Sequence, residues 1–291
     1  MLDIISRAKN AIEAYNTALR IHSANIANMN VDGYKRLNIS FQSIFESILS
    51  RGTPAMVSEN LGGTNPLQLG TGMAISQIGV DFAQGDLTEG GFLDLAIAGS
   101  GLFVVSPDGG NTYLYTRSGR FHADAYGNLV TDTGMHVYGL RRIGGITSTG
   151  ALTPIVISYD TTVYPTSEYA VSFDENGVLS IFILKGPSTL GDKVAELDYQ
   201  IALTTFNNLS GLEQRSATTF AETLASGEPL SPTTPGYGTV GVVVPRQLER
   251  SNVFYIGETI DSMEAQRAMS GNLTVVRLVS DMISTFINRL G

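Results

Sequence analysis

The stretch Gly236-Tyr-Gly238-Thr-Val-Gly241 spells G-x-G-x-x-G, the spacing with which a strand-to-helix turn cradles a dinucleotide pyrophosphate. That chemistry needs a helix N-terminus directly after the glycines. Val242-Val-Val-Pro245 follows instead, a strand-like run and then a break, so the segment reads as a glycine-rich loop with no cofactor. His122 and Asp124 form H-x-D and His136 lies downstream, but the 3 histidines of the chain have no carboxylate cluster at ligand spacing. Residues two apart on a strand share a face, so a surface hydrogen bond is expected there rather than a metal. Asp124-Ala-Tyr-Gly127-Asn-Leu129 and Asp174-Glu-Asn-Gly177-Val-Leu179 share a D-x-x-G-x-L frame. Neither supplies the alternating oxygen ligands of a calcium loop, so both read as tight turns between strands. With 0 cysteines, disulfides, thiolate metal sites and a cysteine nucleophile are excluded, and no G-x-S-x-G elbow occurs. Catalytic, cofactor and metal residues are all expected to be none.

The elements that would carry any site divide sharply. Both ends are proline-free helical patterns; the middle reads as strands and turns. From Ile5, apolar residues recur every seventh position through Ile12, Leu19 and Ile26, with Ala8, Tyr15, His22 and Met29 three residues on. Leu273, Val276, Ile283, Ile287 and Leu290 mark a comparable stripe at the other end, interrupted by Ser280. These nine positions (Ile5, Ile12, Leu19, Ile26 and the five C-terminal ones) are the expected subunit-packing residues. The first helix is expected from Asp3 to Asn30, with Asp32-Gly33 as its stop, and the last from Ser251 or Asn252 to Leu290. Phe41, Ile44, Phe45, Ile48 and Leu49 suggest a helical or partly extended second segment ending before Gly52.

Residues 52–88 are rich in Gly, Thr, Asn and Pro and are expected to form an extended arm, with one short strand around Met73, Ile75 and Ile78. Strand signals then dominate: Leu93–Ile97, Leu102–Val105, a hairpin connection through Ser106-Pro-Asp-Gly-Gly-Asn111, Tyr113–Thr116, Ile201–Phe206 and Val242–Val244. The fold class is therefore α+β. Residues 1–51 plus 250–291 are expected to form a helical, coiled-coil domain, 52–88 the connecting arm, and 89–249 a β-rich domain.

Composition points to assembly rather than to nucleic acid or membrane. The formal net charge of −9 lacks the basic face both need, and no apolar run approaches a membrane span. The N-terminus carries charge where a signal peptide needs an apolar stretch, so secretion by the general pathway is not expected. A small β-domain offers too little surface to cover two long seams, which favours self-assembly. The rival is a secreted β-rich adhesin or interaction domain, closed into a small oligomer by the same helices.

The stretch Ser23-Ala-Asn25-Ile-Ala-Asn28-Met-Asn30-Val-Asp32-Gly33-Tyr34-Lys35-Arg36 resembles the N-terminal signature of the bacterial flagellar axial proteins, the rod and hook subunits. Asp32 stands where that family usually has proline. Gly62-Gly-Thr-Asn-Pro66, Asp81-Phe-Ala-Gln-Gly85, Leu93-Asp-Leu-Ala-Ile97-Ala-Gly99-x-Gly101, Tyr115-Thr-Arg117-Ser-Gly119 and Thr205–Leu212 resemble family motifs in order. Ser251-Asn252-Val253 and Glu264-Ala-Gln266-Arg267-Ala268 resemble its C-terminal signature; Met269-Ser270-Gly271 departs from it, and Gly271 predicts a local irregularity. The resemblance implies that Asn25, Asn28, Gly33, Tyr34, Ser251, Asn252, Gln266 and Arg267 are motif residues. Asn25 and Asn28 either cap the helix end or join neighbouring subunits. The resemblance implies a helical homopolymer that transmits torque, encloses an export channel and is exported without a cleavable signal peptide, with both terminal helices as an inner coiled-coil layer and the β-domain as an outer layer. It also implies other rod, hook and junction proteins as partners, neither nucleic acid nor a small-molecule substrate, and a location in the flagellum. Hook and distal rod both remain open.

Overall fold

A computed structural model describes residues 2–43, 46–50, 65, 67–70, 72–143, 146–159, 163–166, 168–186 and 189–290. Residues 52–64, 66 and 71 of the expected arm, and so Gly62–Pro66 apart from Asn65, lie outside them. The chain divides into two compact units: residues 1–27, 37–79 and 254–291 form one, and residues 28–36 and 80–253 the other.

The first unit is built on helix α1 (Leu2–Ala27) and helix α2 (Tyr255–Leu290), which pack along each other. At about 1.5 Å per residue they are about 39 Å and 54 Å long. Side chains near the end of α1 meet the first turn of α2, so the pair is antiparallel. The face that α1 buries is Ala8, Ala11, Ala14, Ala18, Ile21 and Asn25. From Ala11 on these alternate by three and four residues, the spacing of a helix-pair seam. Four alanines in that face let the second helix approach closely, since interaxial distance follows side-chain size at the contact. On α2 the buried positions are Glu258, Ala265 and Val279, seven or fourteen apart, with half-buried Asn272 completing the series.

This seam lies one residue before the isoleucine series read from the sequence. Ile5, Ile12, Leu19 and Ile26 are half-buried and flank the contact. Val276 and Ile283 are also half-buried, whereas Leu273 and Ile287 are 42% and 62% exposed. The side chain of Leu290 lies outside the described residues. Helix α2 runs through Gly271 without a break, because nothing stands within 4 Å of where its Cβ would be and ordinary helical backbone suffices. Both helices are a few residues shorter than expected at the ends that face the middle of the chain.

The second segment is extended: strands Leu37–Ser43 and Glu46–Ser50 replace any helix there. Leu37–Ser43 pairs with Met73–Val80, and Glu46–Ser50 with Leu67–Gly70. The apolar spacing at 41, 44, 45, 48 fits a helix, but long-range pairing overrides so short a signal. Tyr15 of α1 packs against Phe41, with ring centroids 5.9 Å apart and the rings tilted by 49°.

The second unit is centred on a 12-stranded sheet whose pairings are antiparallel. Its central strand, Leu102–Ser106, is buried on both faces. Phe103 and Val105 enter one core with Leu95, Ile97, Phe121 and Ile201. Leu102 and Val104 enter a second with Tyr115, Phe206 and Phe220. Alternate side chains of a strand point to opposite faces, so an unbroken apolar run reads as a strand covered on both sides. Leu102–Ser106 pairs with Leu114–Thr116 across the expected hairpin. Asp108 holds that turn by accepting from Thr112 N–H at 2.8 Å, and Gly109 and Gly110 take φ of +72° and +102°.

Asp124 and Asp174 hold their two turns alike. Each accepts from backbone N–H groups two and four residues on, and Gly127 and Gly177 adopt φ of +83° and +71°. The bond from Asn128, first among the causes, keeps the Asp124 carboxyl below its ordinary value. The Gly236–Gly241 stretch closes on itself through Gly236 N–H to Gly241 O and leads into strand Val242–Pro245, not into a helix. Among the described residues no helix is long and apolar enough to cross a membrane.

Candidate functional site

Two polar knots stand out, one in each unit, where the segments flanking α1 and α2 are fixed. In the first unit, Asn25 is fully buried. Its Nδ2 donates to Leu37 O at 2.9 Å and its Oδ1 accepts from Leu37 N–H at 3.0 Å, so one amide satisfies both polar groups of a residue twelve further on. The same Nδ2 lies 3.2 Å from Glu258 Oε2, and His22 Nδ1 lies 2.6 Å from that oxygen. A buried carboxylate needs such donors, since an isolated ionised one costs far more than the roughly 2–7 kcal/mol of an unpaired neutral polar group. Glu258 also sits in the first turn of α2, where the helix dipole favours negative charge. The Asn25 amide is therefore spent inside its own chain.

In the second unit, Gly33 turns the chain out of the helix with φ of +73° and donates its N–H to Glu249 O at 2.7 Å. A Cβ there would stand 2.4 Å from the Ser118 backbone nitrogen, so only glycine fits. Tyr34 follows, 2% exposed. Lys35 then enters the interior, and its side chain and that of Glu249 are 0% exposed. Lys35 Nζ donates to Glu249 Oε1 and to Ala83 O, each at 2.7 Å. Gly85 N–H donates to the same Oε1 at 2.9 Å, and Arg117 Nε to Oε2 at 2.8 Å. The remaining Arg117 nitrogens donate to the carbonyls of Gly101, Gly99 and Ile97. Two cations thus share one carboxylate. Burial pushes the Lys35 amine below its ordinary value, and Glu249 opposes that shift.

Asn252 closes the arrangement. Its Oδ1 accepts from Arg36 N–H at 2.8 Å, and its Nδ2 donates to the carbonyls of Asp81 and Ala83. Ser251 Oγ accepts from Val253 N–H at 3.3 Å. Asn28 O accepts from Val31 N–H in the turn that ends α1. Gln266 and Arg267 are exposed on α2 and join neither knot.

Of the motif residues, the structure brings Asn25 into the first knot, and Gly33, Tyr34 and Asn252 around the second. Sequence reading missed Lys35, Arg117 and Glu249 as one linked set, and Glu258 as the partner of His22 and Asn25. Lys35 and Arg117 lie in the quoted motifs, and a charged residue after Leu248 in an otherwise strand-like stretch was the remaining signal. A cleft of about 450 Å³ is lined by Asp32, Ser118, Arg120, Thr131 and Asp132 among others. Its arginine is engaged by Asp32 and Asp132 at the surface, where such pairs contribute little. Neither knot presents a nucleophile or a general base to a cavity; both are fasteners.

Comparison with known proteins gives the same picture. The model for the flagella basal body rod protein matches residues 7–35, and that for the flagellar hook protein FlgE/F/G D1 domain matches residues 96–181. The flagellar basal-body rod protein FlgG of Bacillus subtilis is 29% identical over 289 residues, 99% of each chain. FlgG of Agrobacterium fabrum is 31% identical over 288 residues, 95% of each chain. The flagellar hook protein FlgE of Helicobacter pylori is 36% identical over 148 residues, 50% of this chain and 20% of that protein.

Proposed function

The chain belongs to the family of flagellar basal-body rod and hook proteins, as a structural subunit, and we propose that it is the rod-type member. The observation that carries the choice is coverage: rod relatives match end to end, whereas the hook relative is matched over a fifth of its length. In this reading copies of the chain stack helically, the α1–α2 pair forms the coiled-coil layer around an export channel, and the β-rich unit lies outside. Torque passes along the resulting tube, which meets other rod, hook and junction proteins at its ends.

The exposed surface of α2 supports such packing. Ile256, Ile260, Met263, Val275, Leu278, Met282 and Phe286 are 41–61% exposed. At the helical angle of about 100° per residue Ile256, Ile260 and Met263 fall roughly opposite the buried Glu258 and Ala265, and Leu278 lies about 100° from Val279, whereas Val275, Met282 and Phe286 flank or continue the buried series. A soluble helix that is apolar on two faces needs a second covering partner. The half-buried isoleucines of α1 flank the same seam and would complete the contact. The test is a deletion strain. Loss of rods beyond their proximal part, restored by the wild-type chain and seen by electron microscopy of basal bodies, is the expected result. Complete rods bearing no hook would overturn the rod assignment in favour of a hook subunit.

A further inference from the structure

We propose that His22, Glu258 and Asp261 form a binding site for a divalent transition-metal ion of the zinc class, clamping α1 to α2. One ligand atom from each lies within 4.8 Å of the others. The donor set is one imidazole and two carboxylates, which suits zinc, cobalt or manganese and disfavours soft ions that seek sulfur. Glu258 and Asp261 are three residues apart on α2 and so share a face, while His22 comes from the facing helix. Carboxylate and histidine ligands projecting from paired helices are a known way to build a metal site in a bundle.

The shells around the three residues differ in a way that suits a clamp. Glu258 is 1% exposed and is oriented by the Asn25 amide at 3.2 Å, a fixed anchor of the kind that outer-shell hydrogen bonds provide. Asp261 is exposed at the rim, so water can reach the open side. Metal–ligand bonds of about 2.0–2.1 Å in tetrahedral geometry set ligand atoms about 3.3 Å apart. The 2.6 Å between His22 Nδ1 and Glu258 Oε2 would therefore widen by about 0.7 Å as the ion replaces their shared proton. The site goes beyond the structural role: it would make the pairing of the two terminal helices depend on metal.

The test is titration of full-length protein, its helix content verified by circular dichroism, with Co2+ followed by its visible absorption and with Zn2+ as competitor. Saturable binding of one equivalent, displaced by Zn2+, is expected. His22→Ala should abolish it, Asp261→Asn should weaken it roughly tenfold or more, and His122→Ala should leave it unchanged. Asp261 is exposed, so its variant keeps the fold and carries the test even if His22→Ala loosens the helices. Absence of saturable binding, or binding unchanged in Asp261→Asn, overturns the proposal.

Discussion

Replacing Glu249 by Gln removes the single carboxylate that two buried cations share. Breaking a buried pair from one side typically costs about 3–5 kcal/mol, because the remaining charge is left uncompensated. The structure narrows how the loss is taken. Arg117 cannot shed its proton, and although three carbonyls still accept from it, its Nε–H would face either a weaker amide oxygen or a competing NH2 group. Lys35 can neutralise. From an ordinary value of 10.5, doing so at pH 7 costs about 4.8 kcal/mol, at about 1.4 kcal/mol per pH unit. That figure caps the lysine's share. The expected loss is therefore about 3–5 kcal/mol, a large part of a domain's total stability. Urea unfolding of full-length protein should show a lower midpoint with an unchanged slope for the β-rich unit. The pH dependence has a definite sign. Lys35 is already held below 10.5 by burial, and the substitution lowers it further. Between that lowered value and 10.5 the unfolded chain binds more protons, so stability rises with pH in that window and the deficit of the variant shrinks there. Lys35→Met should cost less than Glu249→Gln, since Glu249 keeps Arg117 and Gly85. The double variant should lose less than the sum of the two. A Glu249→Gln protein within about 1 kcal/mol of wild type, or a deficit that does not change towards alkaline pH, would refute the buried-charge argument.

The two faces of α2 separate assembly from folding: Leu278→Asp, at a position 61% exposed, should abolish polymers seen by negative-stain microscopy while leaving thermal unfolding near wild type. Ile283→Asp, on the half-buried side, should weaken helix pairing as well, and Ser284→Asp, on an exposed part of the helix, should do neither. Gly33→Ala should lower stability by about 3 kcal/mol or more, read by denaturant midpoint, since it combines φ of +73° with a 2.4 Å clash against Ser118. A fragment of residues 28–253 should unfold cooperatively without polymerising. One of residues 72–244 should be markedly less stable, because it lacks strand Gln247–Glu249 and leaves Arg117 without its carboxylate.

Much of the architecture was legible in the order of residues alone. The proline-free ends, the continuous Leu102-Phe-Val-Val run and the Ser106–Asn111, Asp124 and Asp174 turns depend on local rules: backbone freedom at glycine, an aspartate accepting from nearby N–H groups, and alternation along a strand. Motifs at both ends, in order, carried the resemblance to the axial proteins that the comparisons then showed. What sequence periodicity could not supply was direction. A heptad pattern marks an apolar stripe, but a helix that is apolar on more than one face offers several seams. The alanines of α1 came inward, and the larger isoleucines one residue on took the flank, because small side chains permit the closest approach. The segment at 37–50, read as helical or partly extended, is extended in its described residues, since pairing with strands later in the chain outweighs a short helical signal. Least legible were the two knots. Lys35, Arg117 and Glu249, like His22, Asn25 and Glu258, are joined across 132 to 236 positions of chain. Nothing local marks such partners. Only strand register and the antiparallel closure of the two helices bring them within hydrogen-bond reach, and burial then makes each partner indispensable to the others.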